Sequence, residues 1–321
     1  MMRRTLLAGL ALASVAGTAA HAQDNYPNKP IRFVVGYSPG GSNDILARIV
    51  AKRMGENLGQ PIVVDNRPST GAIVGAVVTK QAAPDGYTLM IGASGPLVIN
   101  AATYSNLPYS PQKDFIPIST LATFPLILSV KADAPYQSMP ELIKFTKANP
   151  DLSNYASSSS TFQLATELLK ERTGLSSQHV PYKGSGDSMR SVAGGETTFS
   201  MLDPGPASGA IAGKRIRGLA ISSDKRHPTF PEVPTLKEQG IDLSIQFWIG
   251  LFAPAGTPPA IVKKLEAEVA KAVQHPDTVE RMAQLGLTPD HSSSEAFTRR
   301  IAQEIPQWTE IARKNNIKAD Q

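Results

Sequence analysis

IRFVVGYSPGGSNDILARIV, residues 31–50, is the stretch whose reading sets the fold class. The β-branched run Ile31–Val35 predicts a buried strand, and Ile45–Val50 opens a helical pattern. Between them, Gly36-Tyr37-Ser38-Pro39-Gly40-Gly41-Ser42-Asn43 is a turn-rich loop that ends in two good N-cap residues. Two adjacent glycines ahead of a helix N-terminus let the backbone present free N–H groups to a ligand. With the helix dipole behind them, those donors favour an anion such as a carboxylate or phosphate. The remainder of the chain then reads as the scaffold that presents this loop, plus a second lobe to close over it.

Strand and helix patterns alternate along the chain, which argues for α/β lobes built on mostly parallel sheets. Ile62–Asp65 is a short strand, Ala72–Ala82 a helix, and Tyr87–Ile91 a strand that empties into the small polar loop Gly92-Ala93-Ser94-Gly95-Pro96. Loops at the carboxyl ends of parallel strands share one edge, where open α/β sheets bind ligands. Leu107–Thr120 reads as irregular, and Phe124–Val130 as one strand crossing to the second lobe.

Ser138-Met139-Pro140-Glu141 is a capping box with Pro in the first turn. The strand Asn154–Ser157 runs into the hydroxyl loop Ser157-Ser158-Ser159-Ser160-Thr161, followed by the helix Phe162–Thr173. His179–Tyr182 reads as a strand, Gly184–Asp187 as a loop and Ser188–Ala193 as a short helix. Thr198–Asp203 is a strand ending in the turn Asp203-Pro204-Gly205-Pro206. Ser244–Pro254 is the strand that returns to the first lobe, and helices follow from Thr257 to Val273, over Thr278–Leu285 and over Ser294–Lys314. The expected division is 1–22 as a leader, 23–123 and 245–321 as lobe one, and 124–244 as lobe two. Two crossings make a hinge with a cleft between the lobes.

Met1–Ala22 has the parts of a secretory signal: Arg3 and Arg4, the apolar Leu6–Ala16, and Ala20-His21-Ala22 as an A-x-A site. The apolar run is shorter than the roughly 20 residues that span a bilayer. Twin-arginine export is also compatible with Arg3-Arg4. The formal charge of the 321-residue chain is +5, and loss of the leader removes two of its arginines. The excess is spread without a Lys/Arg block, which does not point to nucleic acid. The absence of cysteine excludes disulfides, thiol catalysis and Cys-based metal sites.

Gly36-Tyr37-Ser38-Pro39-Gly40 matches the G-x-S-x-G nucleophile elbow, so a hydrolase using Ser38 needs a test. In that elbow the residue after the serine donates its N–H to the oxyanion hole, and here it is Pro39, which has none. The glycines at 36, 40 and 41 lack dinucleotide-binding spacing, and no Walker motif occurs. His179, His227, His275 and His291 are scattered singly, so each reads as a surface or capping histidine, with no metal site. No cofactor is implied, and no catalytic constellation emerges.

The binding signal is stronger because it recurs. Gly40-Gly41-Ser42 and Ser157–Thr161 each place donors between a strand and a helix. A serine run is also what a flexible surface loop contains, and Asp44 also suits a first helical turn without any ligand. Asp203 is either a turn former or an acceptor for a ligand hydroxyl or amino group. Phe247 and Trp248 suit a core, and one of them at the crossing can face the cleft.

Pro30–Val35, Ser38–Asp44, Ala47-Arg48, Val64–Pro68 and Ala83–Leu89 together resemble the first lobe of tripartite tricarboxylate transporter substrate-binding proteins, the Bug family. His179–Gly184, Gly194-Gly195-Glu196, Pro231–Thr235 and Gly250–Pro258 continue the resemblance, in order, to the C-terminal part. It implies a two-lobed periplasmic binding protein of type II-like fold that captures a small carboxylate in the interlobe cleft and is not an enzyme. The first-lobe P-G-G-x-x-D loop falls on Pro39–Asp44, and the second-lobe hydroxyl loop on Ser157–Thr161. The latter lacks the usual glycine interruption, and Ser69-Thr70-Gly71-Ala72 replaces the commoner Gly-Ala-Gly-Gly.

On this reading the ligand residues are Tyr37, Ser38, Gly40, Gly41, Ser42, Asp44, Ser94, Ser157, Ser158, Ser159, Thr161, Asp203 and Phe247. A carboxylate docks on Gly40, Gly41 and Ser42, Tyr37 walls the ligand's body, and Arg48 and Arg67 are structural. Two opposed donor loops suit a dicarboxylate, aliphatic or aromatic. The expected partners are that ligand and the transporter subunits in the cytoplasmic membrane, the protein itself being a monomer. A periplasmic sensor signalling to a membrane receptor is the alternative.

Overall fold

The computed structural model describes residues 26–182 and 184–319, so the leader expected at 1–22 lies outside the described residues. The strands form two sheets. The first, in the order β11-β4-β10-β3-β1-β2, contains β1 (Ile31–Val35), β2 (Ile62–Asn66), β3 (Thr88–Ala93), β4 (Phe115–Pro125), β10 (Gln246–Pro254) and β11 (Thr288–Pro289). The second, in the order β7-β6-β8-β5-β9, contains β5 (Ile127–Lys131), β6 (Asn154–Ser157), β7 (Gln178–Pro181), β8 (Phe199–Leu202) and β9 (Ile216–Ile221).

The helices are α1 (Ser42–Leu58), α2 (Ile73–Lys80), α3 (Asn100–Thr103), α4 (Met139–Ala148), α5 (Ser160–Thr173), α6 (Ser185–Gly194), α7 (Pro204–Ala212), α8 (Pro259–Gln274), α9 (Pro276–Gln284) and α10 (Ser294–Lys314). None of the described helices is long and apolar enough to cross a membrane.

The sheets are mixed, a narrower parallel content than the sequence suggested. β2, β1 and β3 run parallel, as do β7, β6 and β8, whereas β10 is antiparallel to β3 and β4, and β5 to β8 and β9. The parallel strands are those linked by crossover helices; the antiparallel ones carry the chain between sheets. Leu46, Ala47, Val50 and Met54 repeat along one face of α1 and are fully buried, each contributing on the order of 1–3 kcal/mol. Gly59, at φ 67°, ends that helix in the left-handed region.

Four expectations are corrected. The Pro-rich stretch read as irregular contains most of β4, whose Pro117 sits beside a register shift against Leu251 and Phe252. A bulge leaves a strand position unpaired, so the N–H that proline lacks is not missed there. The crossing strand read as Phe124–Val130 is split at Leu126 between the two sheets. The turn at Asp203–Pro206 is the start of α7, and the loop at Gly184–Asp187 is mostly the first turn of α6. Proline in a first helical turn forfeits no intrahelical bond, so Pro204 begins α7 instead of breaking it.

The crossings are stitched by one buried side chain. Ser222 Oγ accepts from Leu126 N at 2.8 Å and donates to Ile245 O at 2.6 Å. The Ser222 backbone donates to Leu126 O at 2.9 Å and accepts from Ile245 N at 2.8 Å. Both connections therefore pivot on the same residue.

Candidate functional site

A cleft of about 1330 Å³ opens between the two sheets. The residues expected to bind ligand line it, with one exception: Tyr37, Ser38, Gly40, Gly41, Ser42, Ser94, Ser157, Ser158, Ser159, Thr161, Asp203 and Phe247 do, and Asp44 does not.

Gly40 takes φ 84°, which an L side chain resists, and this turns the chain so that Gly41 becomes the N-cap of α1. Asp44 reaches back beneath the turn. Its carboxylate accepts from Gly40 N at 2.9 Å, Asn66 Nδ2 at 2.9 Å, and Arg48 at 2.8 and 3.1 Å. Asn66 Nδ2 also donates to Tyr37 O at 3.1 Å. This corrects two expectations: Asp44 holds the loop instead of a ligand, and the Gly40 N–H is already occupied. Although burial raises it, the Asp44 carboxyl is held below the ordinary carboxylate range by these donors. Arg48 belongs to this brace, and Arg67 pairs with Asp65 at 3.0 Å, so neither arginine serves the cleft.

Two further expected ligand groups, which also line the cleft, have structural partners as well. Ser94 Oγ accepts from Trp248 N at 3.0 Å and lies 3.3 Å from Trp248 O. The β3–β10 ladder ends at the Ala93–Ile249 pair, and the Ser94 hydroxyl continues it. Phe247 is 2 % exposed and packs on Phe124, Phe162 and Trp308 at centroid distances of 6.0, 6.2 and 5.9 Å, making the floor of the crossing.

In the second lobe, Ser157 Oγ and His179 Nε2 are 2.7 Å apart, and Ser158 Oγ is 3.1 Å from Ser185 Oγ. His179 is thus not the surface or capping residue its isolation suggested. Burial lowers its pKa, with Glu167 acting in the opposite sense. The Glu167 carboxylate is engaged by Tyr155 Oη at 2.6 Å and Lys170 Nζ at 2.8 Å. Among the described residues, none takes up the hydroxyls of Ser42, Ser159 and Thr161, and no histidine bonds to Ser38. Asp203 has one carboxylate oxygen enclosed without a partner, as does Asn43 with its side-chain oxygen. Burial pushes the Asp203 carboxyl up, opposed by a hydrogen bond from Ser185. Burial likewise pushes the Tyr37 phenol up, keeping it a neutral donor.

The lobes approach closely here. A Cβ on Gly205 would lie 3.4 Å from Ser42 Oγ, and one on Gly95 would lie 3.4 Å from Tyr37 Oη and 3.5 Å from Thr161 Oγ1. Four helices, α1, α5, α6 and α7, begin on this cleft at Gly41, Ser159, Gly184 and Asp203, none capped by a side chain. Each N-terminus carries about half a positive charge and orphan N–H donors. Among the described lining residues Lys318 is the only lysine or arginine. An anion held here is therefore held mainly by backbone amides and hydroxyls. No grouping of metal-ligating side chains occurs among the described residues.

Comparison with known proteins follows this geometry. Residues 46–317 match the model of the tripartite tricarboxylate transporter family receptors. Protein BugT of Bordetella pertussis is 33% identical over 322 residues, covering 99% of this chain and 99% of that protein. A structure of R. palustris Rpa4515 with adipate has a TM-score of 0.83 and 32% identity, covering 91% of this chain and 99% of that one. MatC from Rhodopseudomonas palustris with bound malate has a TM-score of 0.78 and 28% identity, covering 89% of this chain and 99% of that one.

Proposed function

The chain belongs to the tripartite tricarboxylate transporter receptor family, and from that premise we propose that it captures a small carboxylate by closing its two lobes. The captured ligand, a dicarboxylate with an aliphatic or aromatic body, passes to the membrane subunits of a tripartite tricarboxylate-type transporter. The lobes are 23–123 with 245–321, and 124–244. The chain acts as a monomer in the periplasm after a leader is removed near Ala22, and carries out no chemical step on its ligand.

The convergence of four uncapped helix N-termini on one cleft carries this reading. One carboxylate docks on the N–H groups of Gly41 and Ser42 and on the Ser42 hydroxyl. Its partner at the other end meets Ser159, Thr161 and the first turn of α5. Adipate and malate in the two R. palustris structures support the carboxylate class. Closure is what distinguishes loaded from empty protein for the transporter.

Calorimetry on protein refolded free of carried-over ligand tests this, with succinate, citrate, aspartate, nicotinate, terephthalate and a neutral sugar. One carboxylate should bind one-to-one. Gly41 has φ −79° and a Cβ there would lie 3.7 Å from Ser38 O, so Gly41→Ala is accommodated. Gly41→Pro removes one donor and should weaken binding about tenfold or more. Binding of the sugar alone, or of nothing, refutes the proposal.

A further inference from the structure

The proposed docking of a carboxylate on Gly41 and Ser42 leaves an unexplained feature beside it. Among the described residues, few buried side-chain oxygens lack a hydrogen-bond partner, and two of them, Asn43 Oδ1 and Asp203 Oδ1, belong to residues that line this cleft. Asn43 lies in the first turn of α1, next to the docking position, and Asp203 is the N-cap of α7 on the other lobe. A Cβ on Gly205 would lie 3.6 Å from Asp203 Oδ2 and 3.4 Å from Ser42 Oγ, so the two helix starts face each other at close range.

Both oxygens are acceptors. Burial pushes the Asp203 carboxyl up, and the hydrogen bond from Ser185 and the helix N-terminus act in the opposite sense. An enclosed acceptor without a partner is costly, and a donor brought by a ligand relieves that cost. Asn43 is next to Ser42 in α1 and Asp203 is on the facing helix start, so a group that meets these oxygens lies beside a carboxylate docked on Ser42.

Resting on the carboxylate reading, we propose that Asp203 and Asn43 recognise a donor on the carbon next to the docked carboxylate. The preferred ligands are then 2-hydroxy- or 2-amino-carboxylates, not unsubstituted acids. A site with an acceptor aimed at a ligand donor rejects the analogue that lacks it, because the acceptor is then left enclosed and unpaired. One such bond to an enclosed acceptor corresponds to a preference of about tenfold.

The test is calorimetry with matched sets: succinate, malate and aspartate; glutarate, 2-hydroxyglutarate and glutamate; 3-phenylpropanoate, phenyllactate and phenylalanine. In the set whose body fits, a substituted member should bind about tenfold or more tighter than the unsubstituted one. The hydroxy and amino members tell which donor is read. Asp203→Asn should reduce that ratio to about threefold or less, with its thermal midpoint checking the fold. If Asp203→Asn does not fold, Asn43→Ala carries the test and should at least halve the preference. Equal binding within a set, or a preference that survives the substitution, overturns this inference and leaves the carboxylate reading standing. Failure of every acid to bind overturns both.

Discussion

Replacing Asp44 by alanine separates a loop brace from a ligand contact. The side chain is 3 % exposed and takes bonds from Gly40 N, Asn66 Nδ2 and Arg48. A hydrogen bond to a charged group contributes about 1.5–3 kcal/mol, and water returns part of that to the exposed Gly40 N–H. The half-exposed Arg48 adds least. The bond from the half-buried Asn66 is the one water replaces least, so Asp44→Ala should lose about 2–3 kcal/mol of unfolding free energy in urea. Asp44→Asn keeps one acceptor and should lose about half as much.

Since the turn is then free to wander, ligand affinity should fall about tenfold, through lost preorganisation. The sign with pH is fixed by the depressed carboxyl pKa. The stabilisation is complete above the ordinary aspartate value near 3.9 and disappears as pH falls through the lower folded value. The gap between parent and variant should therefore be level from pH 7 to about 5 and close in stronger acid. A variant of parental stability that has lost its ligand would refute the brace and restore Asp44 to direct contact.

Ser222→Ala removes the acceptor for Leu126 N and the donor to Ile245 O, both buried, and should cost about 2–3 kcal/mol in urea; a loss under about 0.5 kcal/mol would deny Ser222 its place as the pivot. His179 and His227 both have pKa values lowered by burial, so they favour the folded state fully above the unfolded value near 6.5 and less as pH falls through it. His179→Gln should remove part of the fall in urea midpoint between pH 7.5 and 5.5, and an unchanged fall would clear His179 of any part in it. Gly286 has φ 66°, and a Cβ there would lie 2.3 Å from Pro204 Cβ on the other lobe. The lobes can relieve that clash by separating, so Gly286→Ala should enlarge the radius of gyration in X-ray scattering and weaken ligand binding; an unchanged radius would refute this.

What was legible in the sequence was what local pattern dictates. Ile31–Val35 followed by a glycine turn and a buried helical face has one reading, and so does the capping box at Ser138, whose hydroxyl accepts from Glu141 N. Long-range pairing was not legible. An acid three residues into a helix looks the same whether it faces a ligand or its own loop, and the deciding partner, Asn66, lies on another strand. His179 looked isolated because its partner is across a parallel ladder. Tyr155 pairs with His179 and Ser157 with Pro181, which puts Ser157 and His179 on one face of the sheet, two residue pairs apart. The partner of Ser94 was hidden for the same reason: Trp248, whose N–H its hydroxyl accepts, arrives only after the chain has passed through the second sheet.

The capping pattern gives the cleft its character. Ser138, His275 and Ser293 accept from the N–H groups of the helices they precede, α4, α9 and α10. Ser159 and Asp203 are equally good capping types, yet neither caps its helix. A cap contributes about 1 kcal/mol, so leaving it out at several helices is a sacrifice of folding stability concentrated at one place. α2, α3 and α8 also start without a side-chain cap, so bareness alone does not mark a site. Convergence does, because only where several orphan donors face one space can a single anion satisfy them together. On the proposed mode of capture, water meets these donors while the lobes are apart, and a carboxylate meets donors from both lobes only when they are closed. In that proposal the bare helix starts would tie the stability of the closed form to the presence of the ligand, which is what a receptor read by its shape requires.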